Sequence, residues 1–255
     1  DLVQSDPRYR KYLCVPYYAR PPIVELDAIA RAMVIAADCG TRISLCHTSS
    51  PAGVELIRGM RREGQEAYIE SCVHYFEGST EDAIRLGPWG KLKPPLRESA
   101  GLPRMRRHFA EGHIDMLGSD HAPFTQEEKL AEKTPDGLAA MELTLPMLLY
   151  RVKTGEFTLS QIAAYASERP AKIFGLYPHK GSLRPGADAD IVLVDCRRGY
   201  TVDVTKLFTQ AKDCARLYQG RETGGTIVRT LVRGQTVYEN GRITAEPGWG
   251  TRVRP

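Results

Sequence analysis

Two short apolar segments of the sequence each end in a side chain that can bind a metal ion. One leads through Leu117-Gly118-Ser119 to Asp120 and His121, and the other, Arg42–Cys46, leads to His47. A parallel barrel presents such side chains at the carboxyl ends of its strands, where its active sites lie. Imidazole and carboxylate groups are both common zinc ligands. The pattern therefore predicts a metal site at neighbouring strand ends, with His47 and Asp120 as ligands.

Each of these residues has a simpler interpretation when taken alone. A single histidine after an apolar strand is more often structural than a ligand, and an aspartate after Gly-Ser can cap a helix. The two occur together, however, with room between them for one more strand and helix. The segment Glu66–Cys72, which ends close to His74, supplies that strand.

Strands and helices alternate over the first part of the chain. Apolar residues recur every three or four positions from Ile23 to Cys39 and predict an amphipathic helix that Gly40 ends. The other segments predicted up to residue 118 are helices Pro51–Glu63 and Leu102–Glu111 and strands Arg42–Cys46, Glu66–Cys72 and Ile114–Gly118. This alternation is typical of a parallel sheet.

The pattern changes after residue 118. A polar loop, Thr125–Gly137, precedes helices predicted at Leu138–Lys153 and Leu159–Phe174. Beyond Gly181 the sequence predicts a small antiparallel sheet, with strands at Asp190–Val194, Thr201–Val204, Thr226–Val232 and Gln235–Tyr238. These patterns predict part of a barrel over residues 1–178, a small antiparallel β domain over 179–244 and a tail over 245–255. Residues 1–19 predict an irregular surface segment.

Composition excludes several classes of protein. The 255 residues are 42% hydrophobic and 26% charged, with a net charge of +4 and dispersed basic residues, so neither a membrane span nor a nucleic-acid surface is expected. The six cysteines have no C-x-x-C spacing and predict reduced, buried thiols in a cytoplasmic protein.

Three strand–helix units are too few to close a parallel barrel, which needs about eight strands. The chain also opens with Asp1 rather than methionine. We therefore expect it to begin inside a longer protein and to occur with the amino-terminal half of its barrel. Alone, it would expose an open sheet edge that favours aggregation.

Five motifs, in this order and spacing, resemble those of one family. They are Tyr18-Ala19-Arg20-Pro21-Pro22, Cys46–Ser50, Lys93–Arg97, Gly118–Pro123, and Arg169–Leu176 continuing to Gly186–Val192. Over nearly its whole length the chain resembles the cyclic amidohydrolases, which include hydantoinases, dihydropyrimidinases, allantoinases and dihydroorotases.

The resemblance implies a (β/α)₈ barrel of the TIM type with a small β-sandwich. It also implies two divalent metal ions, usually zinc, bridged by a carboxylated lysine. His47 matches the histidine of the sixth strand and Asp120 the aspartate of the eighth. The first five strands, with a His-x-His pair and the lysine, are absent from this sequence. The resemblance further implies a homo-oligomer, either a dimer or a tetramer.

The implied reaction is hydrolysis of a ring C–N bond in a small cyclic amide. Because the amide is a poor electrophile and water a poor nucleophile, two metal ions would lower the pKa of the attacking water and polarise the carbonyl. Asp120 would act as general base and then deliver the proton to the leaving nitrogen.

Other matched positions surround this centre. Lys93 and Asp136-Gly137 stand where the hydantoinase branch contacts substrate through backbone atoms. Alternatively, the Lys93 side chain points to solvent and Asp136 only makes the turn. Arg97 is expected to anchor its loop through carboxylate or carbonyl contacts. His74 is expected to line the pocket, and His121 to make structural hydrogen bonds.

The prediction is thus the carboxyl-terminal portion of a cyclic amidohydrolase, closest to the hydantoinase or dihydropyrimidinase branch. Allantoinase or dihydroorotase activity is an alternative, favoured by the Asp-His-Ala-Pro run and by Val73-His74-Tyr75. A non-catalytic relative that keeps the fold but loses the metals is a second alternative. With two of about six ligands, the fragment alone is expected to be inactive.

Overall fold

The structure, a computed structural model, describes residues 19–254. Almost all of the irregular segment predicted at the amino terminus, with Tyr18 of the first motif and Cys14, lies outside the described residues. The described residues form two compact units, one comprising 19–144 with 203–220 and the other 145–202 with 221–254. The domain boundaries placed at residues 178 and 244 stay predictions.

A three-stranded parallel sheet lies in the first unit. Its strands are β1 (Ile43–Leu45), β2 (Ala67–Cys72) and β3 (Met116–Gly118), and β2 lies between the other two. Leu45 pairs with Ile69 in β2, and Cys72 pairs with Gly118 in β3. The parallel strands expected of a partial barrel are confirmed, and their carboxyl ends share one edge.

Helices connect these strands and cover the sheet. They are α1 (Pro22–Asp38), α2 (Pro51–Arg62), α3 (His74–Glu77), α4 (Thr80–Leu86), α5 (Leu102–Ala110) and α6 (Gln126–Leu130). The hydroxyl oxygen of Ser50 begins α2 by accepting a hydrogen bond from the Gly53 N–H at 3.1 Å. The core contains the wholly buried side chains of Met33, Val54, Ile57, Ile69, Phe76, Phe109 and Ile114.

The prediction of a continuous polar loop after Asp120 was wrong, because α6 lies within it. Thr125 caps this short helix, and its hydroxyl accepts a hydrogen bond from the Glu128 N–H at 3.2 Å. The Glu128 carboxylate in turn accepts one from the Thr125 N–H at 2.8 Å. This reciprocal capping box stabilises a helical turn in a polar sequence with little apolar periodicity.

Helix α7 (Met141–Lys153) follows, and the second unit adds α8 (Leu159–Ala163) and α9 (Arg169–Ile173) around a π-helical turn, Ala164–Glu168. An antiparallel sheet of four strands also lies in this unit, in the order β4 (Ile191–Asp195), β5 (Thr226–Val232), β6 (Gln235–Glu239) and β7 (Arg242–Ile243). The predicted antiparallel sheet is confirmed.

The strand predicted at Thr201–Val204 is wrong. Thr201 makes a single bridge with Glu222, and a 3₁₀ turn begins at Val204. The Asp203 carboxylate accepts a hydrogen bond from the Thr205 N–H at 3.1 Å, which favours a turn over an extended strand.

Burial of the cysteines was predicted too broadly. The five described cysteines form no disulfide, but only Cys72 and Cys214 are buried, while Cys39, Cys46 and Cys196 are exposed. None of the helices between residues 19 and 254 is long and apolar enough to cross a membrane.

Candidate active site

Both predicted metal ligands lie just beyond the carboxyl end of a strand. His47 follows β1 and Asp120 follows β3, with backbone φ angles of 41° and 44°. Among the described residues only two other non-glycine residues have positive φ, Arg233 and Asn240, and each precedes a glycine in a hairpin turn. Left-handed backbone outside such turns is costly and clusters at functional sites. The parallel topology brings these two side chains to one edge of the sheet.

Glu70, in the middle of β2, holds the backbone beside His47. Its Oε1 accepts a hydrogen bond from the His47 N–H at 3.3 Å, and its carbonyl accepts one from Thr48 at 2.8 Å. A Cβ atom on Gly118 would lie only 2.5 Å from the same carboxylate oxygen. Glycine before Ser119-Asp120 therefore leaves room for this carboxylate, which a larger residue would displace. Sequence reasoning missed Glu70, although a charged residue inside a buried strand was a signal.

Two thiols lie within electrostatic reach of the acidic side chains. Partial desolvation of the Cys46 thiol, followed by the nearby Glu70 and Asp120 carboxylates, raises its pKa although the residue as a whole is exposed. Burial and then Asp120 raise the pKa of Cys72 well above its ordinary value. Because the thiolate is the form that binds metals, these cysteines are weak candidates as ligands at neutral pH. His47 and Asp120 remain the stronger donors.

His74 is fully buried at the start of α3. Neither ring nitrogen has a hydrogen-bond partner among the described residues, and the ring packs edge-on to Tyr75 with centroids 4.3 Å apart. Burial, with a smaller contribution from nearby His47, lowers its pKa to about 3. The imidazole is therefore neutral at physiological pH. Its role in lining the pocket stays a prediction.

The buried His74 should make stability depend on pH. Its folded pKa of about 3 lies below the ordinary value of 6.5, so the unfolded chain binds the proton more tightly and stability falls as pH falls through this window. We expect the free energy of unfolding of metal-free protein, kept in EDTA, to fall by about 2 kcal/mol between pH 7 and pH 5 through this group. Denaturant titrations of the wild type and His74→Gln at both pH values measure the difference.

The control is His179→Gln, which removes an exposed histidine and should leave the pH dependence of the wild type unchanged. An equal pH dependence in the wild type and His74→Gln would contradict the prediction.

The donor set fits part of a metal site. The Nδ1 atom of His47 is buried and has no hydrogen-bond partner among the described residues, and a buried polar atom normally has a partner. In the described part of the chain, the side chains that form a close group of three metal donors are His108, Glu111 and His113, not His47 and Asp120. The two strand-end residues therefore fit a site that needs further ligands.

Lys93 and Asp136 form an ion pair, with 2.6 Å between Nζ and Oδ2. The adjacent Gly137 N–H donates a hydrogen bond to the Lys91 carbonyl at 3.0 Å. A Cβ atom on Gly137 would lie 2.5 Å from that of Ala122, so only glycine fits there. The two predicted substrate loops are thus held together, and the opposite charges of Lys93 and Asp136 offset each other.

Arg97 is almost completely buried beside the first of these loops. Its guanidinium donates hydrogen bonds to the Ser49 hydroxyl at 2.8 Å, the Arg20 carbonyl at 2.8 Å and the Glu25 carboxylate at 3.1 Å. Glu25 also accepts a hydrogen bond from the Ser49 N–H at 2.7 Å. These contacts are of the carboxylate and carbonyl kind expected for Arg97, and they connect its loop to α1 and to the segment after His47.

His121 lies beside Asp120 in the chain but has a different environment. Its Nδ1 accepts a hydrogen bond from the Met141 N–H at 3.3 Å, and its backbone bridges to that of Leu138. These contacts support the structural role predicted for His121.

A cavity of about 560 Å³ lies between α1 and β1. Among the described strands β1 pairs only with β2, so its other edge is open. Of the predicted site residues, the cavity is lined by His47, Lys93 and Arg97, whereas Asp120, Asp136, Gly137 and His74 lie outside its lining. The cavity therefore lies beside the unpaired edge of β1, whereas Asp120 stands at the carboxyl end of β3. His47 contributes to the cavity and also stands at a strand end.

Residues 92–237 match the model of the amidohydrolase family. The chain belongs to the amidohydrolase family. It is 36% identical to an L-hydantoinase of Paenarthrobacter aurescens over 241 residues, which are 92% of this chain and 52% of the relative. It is also 37% identical to an allantoinase of Deinococcus radiodurans over 242 residues, 93% of this chain and 52% of that enzyme.

A solved structure has the same fold. The L-hydantoinase (dihydropyrimidinase) from Arthrobacter aurescens superposes with a TM-score of 0.84 at 35% identity, covering 91% of this chain and 52% of that one. This amidohydrolase chain thus spans about half the length of the curated relatives it matches. The predicted family and fold class, a portion of a TIM-type barrel with a smaller β domain, are confirmed.

Proposed function

We propose that this amidohydrolase chain supplies the carboxyl-terminal strands of a barrel that hydrolyses the ring C–N bond of a small cyclic amide. The observation that carries the proposal is the pair His47 and Asp120, both held in left-handed conformations at the carboxyl ends of parallel strands. His47 would hold part of a divalent metal centre, proposed to be zinc, with Asp120. When bound, this centre supplies Lewis acidity and a water of lowered pKa. Asp120 would accept a proton from the attacking water and donate it to the leaving ring nitrogen.

The remaining strands of the barrel would come from an amino-terminal half. A right-handed crossover that ends in α1 would place a preceding parallel strand beside the open edge of β1. The cavity between α1 and β1 lies where such a strand would pack. That half would carry the further metal ligands, including a carboxylated lysine. The dimer or tetramer and the cytoplasmic location stay predictions, the latter supported by the absence of disulfides among the five described cysteines.

The ion pair of Lys93 and Asp136 favours an uncharged ring as the substrate. Because Asp136 offsets the charge of Lys93 at 2.6 Å, the lysine is not left free to bind a substrate carboxylate. Hydantoin, dihydrouracil and allantoin are neutral rings, whereas dihydroorotate carries a carboxylate. We therefore propose a neutral cyclic amide as the substrate class.

The test is an assay of the complete, metal-loaded barrel against all four rings. We expect neutral rings to be preferred, and Asp136→Asn to shift the kcat/KM ratio toward dihydroorotate by roughly threefold to tenfold, since it leaves Lys93 unpaired near a rim that is partly exposed. Asp213→Asn, which alters another partly exposed aspartate, is the control and should not change the ratio.

Two results would count against the proposal. A wild-type preference for dihydroorotate would overturn the neutral-ring assignment. Loss of turnover on every ring, in a folded protein that contains its metals, would overturn the hydrolase itself and favour the non-catalytic relative.

A further inference from the structure

Two imidazoles and two carboxylates meet where α5 leads into β3. His108 lies in the last turn of α5, and His113 lies just before β3. Their Nδ1 atoms are 3.0 Å apart. The Glu111 carboxylate is 3.4 Å from His113 Nδ1, and the Glu55 carboxylate is 3.3 Å from His108 Nε2. Because this turn leads into the amino end of β3, the cluster is remote from His47 and Asp120 in the topology.

The distances between the donor atoms match a tetrahedral metal shell. Zinc binds imidazole nitrogen at about 2.0–2.1 Å, so neighbouring donors around it are about 3.3 Å apart. The separations of 3.0 Å between the imidazoles and 3.4 Å between His113 and Glu111 bracket that value. One donor atom from each of the three residues lies within 4.8 Å of the others. Three protein ligands would leave the fourth position for water.

Glu55 lies beside the second ring nitrogen of His108, where a carboxylate would leave Nδ1 unprotonated. A histidine that binds a metal through one ring nitrogen usually donates the other N–H to a carboxylate, which fixes the tautomer. Glu55 occupies this position at His108 Nε2.

The charged side chains around the cluster are of both signs, and the cluster is open to solvent. Glu111 and Glu55 contribute two carboxylates, while Arg58 pairs with Glu55 at 3.1 Å and Arg104 lies within electrostatic range of His108. Glu111 is exposed and His113 is partly exposed, so an ion can reach the cluster from solvent.

We propose that His108, Glu111 and His113 form a second metal site, separate from the candidate active site, which takes zinc or a similar first-row divalent ion. Glu55 orients His108 in this site. Because one ligand lies on α5 and another just before β3, the ion would join the end of the helix to the start of the strand. Its role is therefore structural.

The test uses chelator-stripped protein and Zn²⁺ alone. In competition with a chromophoric chelator, we expect the wild type to bind one more zinc ion than His113→Asn, and Glu111→Gln to weaken that site at least tenfold. Zinc should raise the melting temperature of the wild type more than that of either variant. Co²⁺ in the same site should give the strong visible absorption of tetrahedral coordination, which His113→Asn should lose.

His47→Asn separates the two sites, because it should keep the extra zinc and the tetrahedral Co²⁺ spectrum. His179→Asn, at an exposed histidine elsewhere, controls for nonspecific binding by surface imidazoles. Circular dichroism establishes that each variant is folded, and Glu111→Gln is the informative variant should His113→Asn fail to fold. Equal zinc stoichiometry and affinity in the wild type and the folded cluster variants would overturn the proposal and leave only a hydrogen bond between the two imidazoles.

Discussion

We expect Asp120→Asn to lower kcat for ring-amide hydrolysis by about 10³-fold in the complete barrel, because the amide cannot accept the proton of the attacking water. The substitution suits this position, since asparagine tolerates the left-handed conformation that Asp120 adopts at φ 44°. The backbone should therefore be preserved while the carboxylate is lost. Steady-state kinetics, together with metal content per chain, measures the effect and separates loss of the base from loss of metal.

The matched control is Asp38→Asn, which changes an exposed aspartate at the end of α1. Its kcat and KM should equal those of the wild type. If Asp120→Asn kept its metals and more than a tenth of the wild-type kcat, Asp120 could not be the general base, and the proposed assignment of proton transfer would be wrong.

The second large effect concerns stability and arises at Lys129 in α6. This side chain is completely buried, and its ammonium group donates hydrogen bonds to three backbone carbonyls, those of Pro88 (3.3 Å), Lys91 (3.1 Å) and Pro135 (3.0 Å). We expect Lys129→Met to lower the free energy of unfolding by about 3 kcal/mol, because the methionine fills the space but leaves buried carbonyls without donors. Urea titration followed by circular dichroism measures the change.

Lys129 also fixes the geometry of both predicted substrate loops. The Lys91 carbonyl that it binds accepts a second hydrogen bond from Gly137, and Lys93 and Asp136 lie close by in these two loops. Lys129→Met should therefore raise KM as well. Lys133→Met, at an exposed lysine in the same stretch, is the control and should change the free energy of unfolding by less than about 0.5 kcal/mol. A loss below 1 kcal/mol in Lys129→Met would show that the three carbonyls are satisfied in another way.

The main elements of the fold follow from local patterns in the sequence. The amphipathic period of α1, the proline and serine at the start of α2 and the apolar run of β3 each predicted an element within a few residues of its observed bounds. The errors in secondary structure occurred where side chains bind nearby backbone groups. Capping by Thr125 made a helix in a polar loop, and Asp203 made a turn where a strand was expected.

By itself the sequence determined that His47 and Asp120 stand just beyond the carboxyl ends of two strands of one parallel sheet. Local sequence suffices for this, because the alternation of side chains along a strand and the residues at which the strand ends depend on neighbours in the chain. Tertiary structure alone decided that Glu70 occupies the space over Gly118, that Lys93 pairs with Asp136, and that the imidazoles of His108 and His113, at the end of α5 and just beyond it, lie 3.0 Å apart. These contacts depend on how close separate loops come when the helices and the sheet pack, a distance that no local pattern encodes.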